Sequence, residues 1–170
     1  IIKSEEMDWE AVARSSDEFC KLNFSVVEAS GWTVPQIKAE AVKLGAEILF
    51  IDYLGLIKSE GRSRYEKVTN TSVDLHVLAQ QTGMTVFALS QLKRGEGEPG
   101  MDDLRESGQL EQDADVIILL QALQDGKEEN PETPDRQLII AKNKEGMTGA
   151  IRLRFDGERQ RFYEVDNVRA

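Results

Sequence analysis

The chain has 170 residues, 31 acidic against 21 basic, a formal net charge of -10 and 40% hydrophobic side chains. This is enough apolar material for one domain with a sizeable core, while the acidic balance excludes a surface that gathers nucleic acid by general electrostatic attraction. Any DNA contact has to be local. A lone cysteine, Cys20, excludes an internal disulfide framework or a multi-thiolate metal site. No apolar run reaches the roughly 20 residues of a membrane span, so a soluble, cytoplasmic protein is expected. The chain opens at Ile1 and runs straight into acidic, helix-forming residues, which reads as a piece of a longer protein.

After Asp8, a favourable N-cap, apolar residues at Trp9, Val12, Ala13, Phe19 and Cys20 predict a helix over 9–22. Phe24 to Val27 is short, apolar and rich in valine, which predicts a strand. Thr33-Val34-Pro35-Gln36 then supplies a capping box for a second helix ending near Gly45. Ile48-Leu49-Phe50-Ile51 is an uninterrupted apolar run, the pattern of a strand covered on both faces, and Asp52 stands at its carboxyl end. Residues 58–64 read as a loop. Val68, Ser72, Leu75, Leu78 and Ala79 mark a third helix, closed by Gly83. Val86 to Leu89 repeats the covered-strand pattern and ends at Ser90-Gln91, ahead of a basic, Gly-rich segment, 93–100, expected to be mobile.

Val116 to Leu120 is a further apolar run, and 125–135, with two prolines, reads as a loop. Leu138 to Ala141 and Ala150 to Phe155 predict two strands joined by a turn around Gly146. The chain therefore reads as a single α/β domain with an antiparallel extension.

Open α/β sheets place ligands at the carboxyl ends of their strands, which singles out Glu28, Asp52, Ser90 and Gln91. An acid after four apolar strand residues is what a magnesium-holding Walker B motif supplies, although a turn-favouring Asp can end any such strand. Gln91 can place an amide near a γ-phosphate. The run Asp103-Leu104-Arg105-Glu106-Ser107-Gly108 sets an arginine beside a Gly turn, either a phosphate grip or an ordinary solvated loop. Lys142 and Lys144 alternate along a strand end and so share a face. On an edge strand such lysines commonly serve only to discourage aggregation. His76 has no second imidazole or thiolate partner in its helix and reads as structural.

Taken in order, these segments resemble the DnaB-type replicative DNA helicases, whose motors have the RecA-like fold. Ile48 to Leu56 resembles their Walker B stretch, Val86 to Arg94 their sensor strand and the start of a DNA-facing loop, and Asp103 to Asp115 a run associated with little else. The resemblance extends from about Trp9 to Phe162. It implies residues 1–170 as the C-terminal part of a RecA-like ATPase domain, with a mostly parallel sheet, flanking helices and a C-terminal antiparallel hairpin. It implies ATP and Mg2+ as cofactors, with Asp52 holding the metal, through water, and Gln91 coupling the γ-phosphate to the DNA loops.

By the same resemblance, Arg105, Glu106 and Gly108, with Lys93 and Arg94 in the neighbouring loop, face single-stranded DNA. Lys142 and Lys144 reach into the next subunit's ATP site. The second of these positions is typically arginine in the family, and lysine cannot form the bidentate fork. The implied assembly is a homo-hexamer working with primase and a helicase loader. Nothing in the 170 residues matches G-x-x-x-x-G-K-[ST]. That loop and the catalytic glutamate that follows it in the family are expected ahead of Ile1, so these residues alone are expected to hydrolyse no ATP. A recombinase-type RecA-like ATPase and a non-enzymatic receiver-like module, with Asp52 as phosphoacceptor, are the alternatives.

Overall fold

A computed structural model describes residues 8–91, 108–122 and 135–165. Helix α1 spans Trp9–Cys20, and Asp8 caps it by accepting from the Ala11 N–H at 3.0 Å. None of its residues is buried: Trp9 is 71% exposed and Phe19 58%. The expected strand at Phe24 to Val27 does not form. Among the described residues the segment pairs with no strand, Val26 is 83% exposed, and Phe24 sets its ring edge-on to Phe19. Glu28, picked out as a strand-end acid, consequently stands at no strand end.

Helix α2 is Val34–Lys43, and the Gln36 side chain accepts from the Thr33 N–H at 2.9 Å, as the capping pattern predicts. Strand β1 (Ile48–Ile51) leads into a single 3-10 turn at Leu54–Leu56. Helix α3 spans Arg64–Thr82. Ser63 accepts from the Glu66 N–H at its start, and Gly83, at φ 72°, closes it in a left-handed conformation that a side chain would disfavour. Strand β2 (Thr85–Ala88) then lies parallel to β1, with Ile48 opposite Thr85 and Ile51 opposite Ala88. Parallel strands need a crossover connection, and α3 supplies it.

Helix α4 (Gly108–Asp113) precedes strand β3 (Val116–Ala122), which opens a second sheet with β4 (Asp135–Asn143), β5 (Gly149–Asp156) and β6 (Arg161–Glu164). The order β3-β4-β5-β6 is antiparallel throughout, so this part is larger than a hairpin. Among the described residues no backbone ladder joins it to β1-β2.

One apolar cluster unites the parallel pair with its helices: Val34 and Ala41 of α2, Ile51, Leu54, Leu75 and Leu78 of α3, and Met84, with Leu110 of α4 packed against them. The apolar runs predict strands covered on both faces; within the described residues they are covered on one. In β3, Ile117 and Leu119 are buried while Val116, Ile118 and Leu120 are about half exposed, at 50%, 54% and 48%. Phe50 and Phe87, paired across β1 and β2, stack at 4.7 Å on the open face. A continuous apolar run records two faces meant for burial; the second face lacks its cover here.

Candidate functional site

Parallel pairing brings the two strand-end candidates to one end of one sheet. Leu89 donates its N–H to the Ile51 carbonyl at 3.0 Å, and Leu54 returns a bond to the Leu89 carbonyl at 2.9 Å. Asp52 therefore leaves β1 beside the point where Ser90 and Gln91 leave β2. All three are exposed, and the Asp52–Tyr53 peptide is cis. Below them, Ile51 and Leu54 are buried at 8% and 4% exposure, so the polar shelf rests on the apolar cluster.

A single accessible carboxylate suits Mg2+, which commonly takes one or two carboxylates and completes its shell with water and phosphate oxygens. Among the described residues no group of three or more His, Cys, Asp and Glu side chains gathers to hold an ion without such help. His76, placed as structural, pairs with Gln80 at 3.0 Å within α3.

The alternation predicts a shared face for Lys142 and Lys144; β4 ends at Asn143, so Lys142 stands in the last stretch paired with β3 and Lys144 just beyond the strand, and β5 pairs with β4 only from Asp135 to Ile140. Both lysines meet partners in their own chain. The Lys142 ammonium donates to the backbone carbonyl of Glu111 and, at 3.4 Å, to that of Gln112, in the last turn of α4. Lys144 pairs with Asp115 at 2.5 Å, and its N–H donates to the Asp115 carbonyl at 3.0 Å. The Lys144 hydrogen bond holds the Asp115 carboxyl below its ordinary value, against a smaller opposing effect of desolvation. With the two side chains 45% and 71% exposed, the pair contributes on the order of 0–1 kcal/mol and is readily exchanged.

Lys93, Arg94, Arg105 and Glu106 lie outside the described residues, and Gly108 is the first residue of α4. The side chains that organise this corner include Ser72 and Asp113, 2.7 Å apart. Composition and spacing did not single them out, since they stand 41 positions apart and only the packing of α4 on α3 joins them.

Residues 2–164 match the family of the DnaB-like helicase C-terminal domain. The chain belongs to that family. It is 34% identical over 169 residues to the replicative DNA helicase DnaB of Leifsonia xyli subsp. xyli, covering 93% of this chain and 37% of that protein. Against the replicative DNA helicase DnaC of Bacillus subtilis the identity is 32% over 173 residues, 95% of this chain and 38% of the relative.

Two solved structures share the fold. One, described as an ATPase domain, superposes with a TM-score of 0.83 at 31% identity, over 96% of this chain and 62% of that one. A DnaB-like replicative helicase, described with its interactions with primase, gives 0.82 at 31% identity, over 96% and 42%. The DnaB-like chain thus spans under two fifths of these two curated relatives. Membership of this family removes the receiver-like alternative.

Proposed function

We propose that the protein carrying this DnaB-like segment is an ATP-dependent replicative DNA helicase that translocates on single-stranded DNA as a homo-hexamer in the cytoplasm. The observation that carries the proposal is the placing of Asp52 and Gln91 at the same end of two adjacent parallel strands, in a chain of this family. Mg2+ bound with ATP supplies a positive charge that neutralises the phosphates. Asp52 would hold that ion through water, and its exposed position at the strand end leaves room for both. Gln91, one strand over, would orient the γ-phosphate and pass its state into the basic, Gly-rich segment that follows it. Lys144 is the residue offered to the neighbouring subunit, because its hold on Asp115 is weak enough to exchange for a phosphate. Arg105, Glu106 and Gly108, with Lys93 and Arg94, would contact the DNA backbone. Primase and a helicase loader are the proposed partners, the former supported by the primase-interacting relative.

The experiment is unwinding of a forked duplex by the full-length protein with and without Asp52→Asn. The parent should hydrolyse ATP faster with single-stranded DNA and open the fork, and Asp52→Asn should assemble normally and do neither. A parent without DNA-stimulated turnover would overturn the reading, as would an Asp52→Asn variant that unwinds at the parental rate.

A further inference from the structure

Asp52 stands between two residues that the fold holds fast. The Ile51 carbonyl accepts from the Leu89 N–H, the Leu54 N–H donates to the Leu89 carbonyl, and both side chains are buried. The turn beyond is fixed as well. Leu56 donates its N–H to the Tyr53 carbonyl at 3.1 Å, Gly31 donates to the Leu56 carbonyl at 3.1 Å, and Lys58 donates to the Trp32 carbonyl at 2.8 Å. With the backbone held on both sides, the parts left to move at this end of β1 are the side chains of Asp52 and Tyr53.

The Tyr53 ring is folded forward over Gly55. A Cβ at position 55 would lie 2.6 Å from Tyr53 Cε2 and 3.2 Å from Cδ2, well inside the distance at which two carbon atoms rest against each other. Gly55 is not among the residues with a positive φ, as Gly83 is. Its backbone would therefore accept another residue, and what position 55 supplies is the space that the ring fills. Seated there, the ring is half-buried, and the Asp52 carboxylate beside it is exposed.

We propose that Gly55 is a seat for the Tyr53 ring, and that the seated ring keeps the end of β1 open to Mg2+ and the nucleotide phosphates. A side chain has only a few staggered positions about its first torsion. A ring lifted off Gly55 takes up another of them and obstructs the space in front of Asp52. Tyr53 is thus a positioning residue, which touches neither ion nor nucleotide while it is seated. This rests on the reading above, in which Asp52 holds the ion.

Two measurements on the full-length protein test this. The first needs no nucleotide: nitration by tetranitromethane, followed peptide by peptide in the mass spectrometer. Tyr65 and Tyr163, 47% and 44% exposed, serve as internal references. Gly55→Ala should raise the rate at Tyr53 several-fold and leave those two unchanged. The second is DNA-stimulated ATPase activity as a function of MgATP. Gly55→Ala should raise KM several-fold while kcat changes little. Combined with Tyr53→Phe, which keeps a ring to be displaced, it should still show the raised KM. Combined with Tyr53→Ala, which leaves no ring, it should return KM towards the parental value. A methyl group that merely loosened the turn would leave both double variants impaired.

Unchanged nitration of Tyr53 in Gly55→Ala overturns the seat. A parental KM in Gly55→Ala overturns the obstruction, as does a raised KM that Tyr53→Ala fails to lower. A parent that hydrolyses no ATP refutes the helicase reading instead, and nitration still judges the seat by itself.

Discussion

Replacing Leu78 by alanine tests whether the apolar cluster under Asp52 holds the domain together. Leu78 is 1% exposed, and its neighbours in the cluster come from α2, β1, the 3-10 turn, α3 and the start of β2. Removing three buried carbons at about 0.8 kcal/mol each forfeits roughly 2.4 kcal/mol of transfer free energy. Because α2 and the β1-β2 pair enclose the site from different elements, the gap closes only in part, and the cavity left behind brings the expected loss to about 3–4 kcal/mol. Urea unfolding followed by far-UV circular dichroism reads this directly. With a slope of about 2 kcal/mol per molar urea, the midpoint should fall by about 1.5–2 M. Val26→Ala is the control: that side chain is 83% exposed in a segment without strand partners and should change stability by less than about 0.5 kcal/mol. A Leu78→Ala midpoint within error of Val26→Ala would mean that the cluster is not the stabilising core.

Three further outcomes are expected. Arg105→Ala in the full-length protein should weaken single-stranded DNA binding equally across sequences and lower the salt slope by about one, because a phosphate contact carries no base information; unchanged affinity and slope would remove Arg105 from the interface. Rings mixed from Lys144→Ala and Asp52→Ala subunits should exceed either mutant ring in DNA-stimulated ATPase, since some interfaces then pair an intact carboxylate with an intact lysine, and Lys144→Arg should match or exceed the parent. Normal assembly without recovery would place Lys144 outside the neighbour's site. Finally, Asp115 should titrate below the ordinary value of 3.8, with Lys144→Met moving its midpoint up. A lowered carboxylate stabilises the fold above its ordinary value and loses that contribution as pH falls through the native one, so the Lys144 link should persist at neutral pH and fail only in acid. An Asp115 midpoint that ignores Lys144→Met, followed by carboxyl NMR, would show that the pair does not form in solution.

Local signals carried most of the elements. Asp8, Thr33 and Gly83 mark helix ends through chemistry contained within a few residues, whereas α3 starts at Arg64, capped by Ser63, inside the stretch that reads as a loop. Asp52 and Gln91 were legible for the same reason, since a strand-end position follows from the apolar run before it. Phe24 to Val27 has the composition of a strand, but a strand exists only when another backbone pairs with it, and composition does not report the partner. β6 was missed because Arg161-Phe162-Tyr163-Glu164 flanks its aromatics with charges and owes its place to pairing with β5. The partners of Lys142 and Lys144 lie 29 to 31 positions upstream, and the register of β3 against β4, interrupted between Ile117 and Ile118, brings them together. No spacing rule reaches that far.

The separation of the described backbone into two ladders also sets a timetable for folding. Strands β4, β5 and β6 follow one another through short turns, and hairpins of this kind close in about 1–10 μs. The β1-β2 pair cannot form until the chain between them has wound into α3 and returned, and contacts between distant residues are the slow ones. Pulse-labelled refolding should accordingly show amide protection at Leu138 to Ile140 and Ala150 to Leu153 before Val86 to Ala88, and the reverse order would contradict it. The late event is the one that carries Asp52 to Gln91. The lysine-bearing strand is thus in place first, and the nucleotide end of the domain is completed against a half already built.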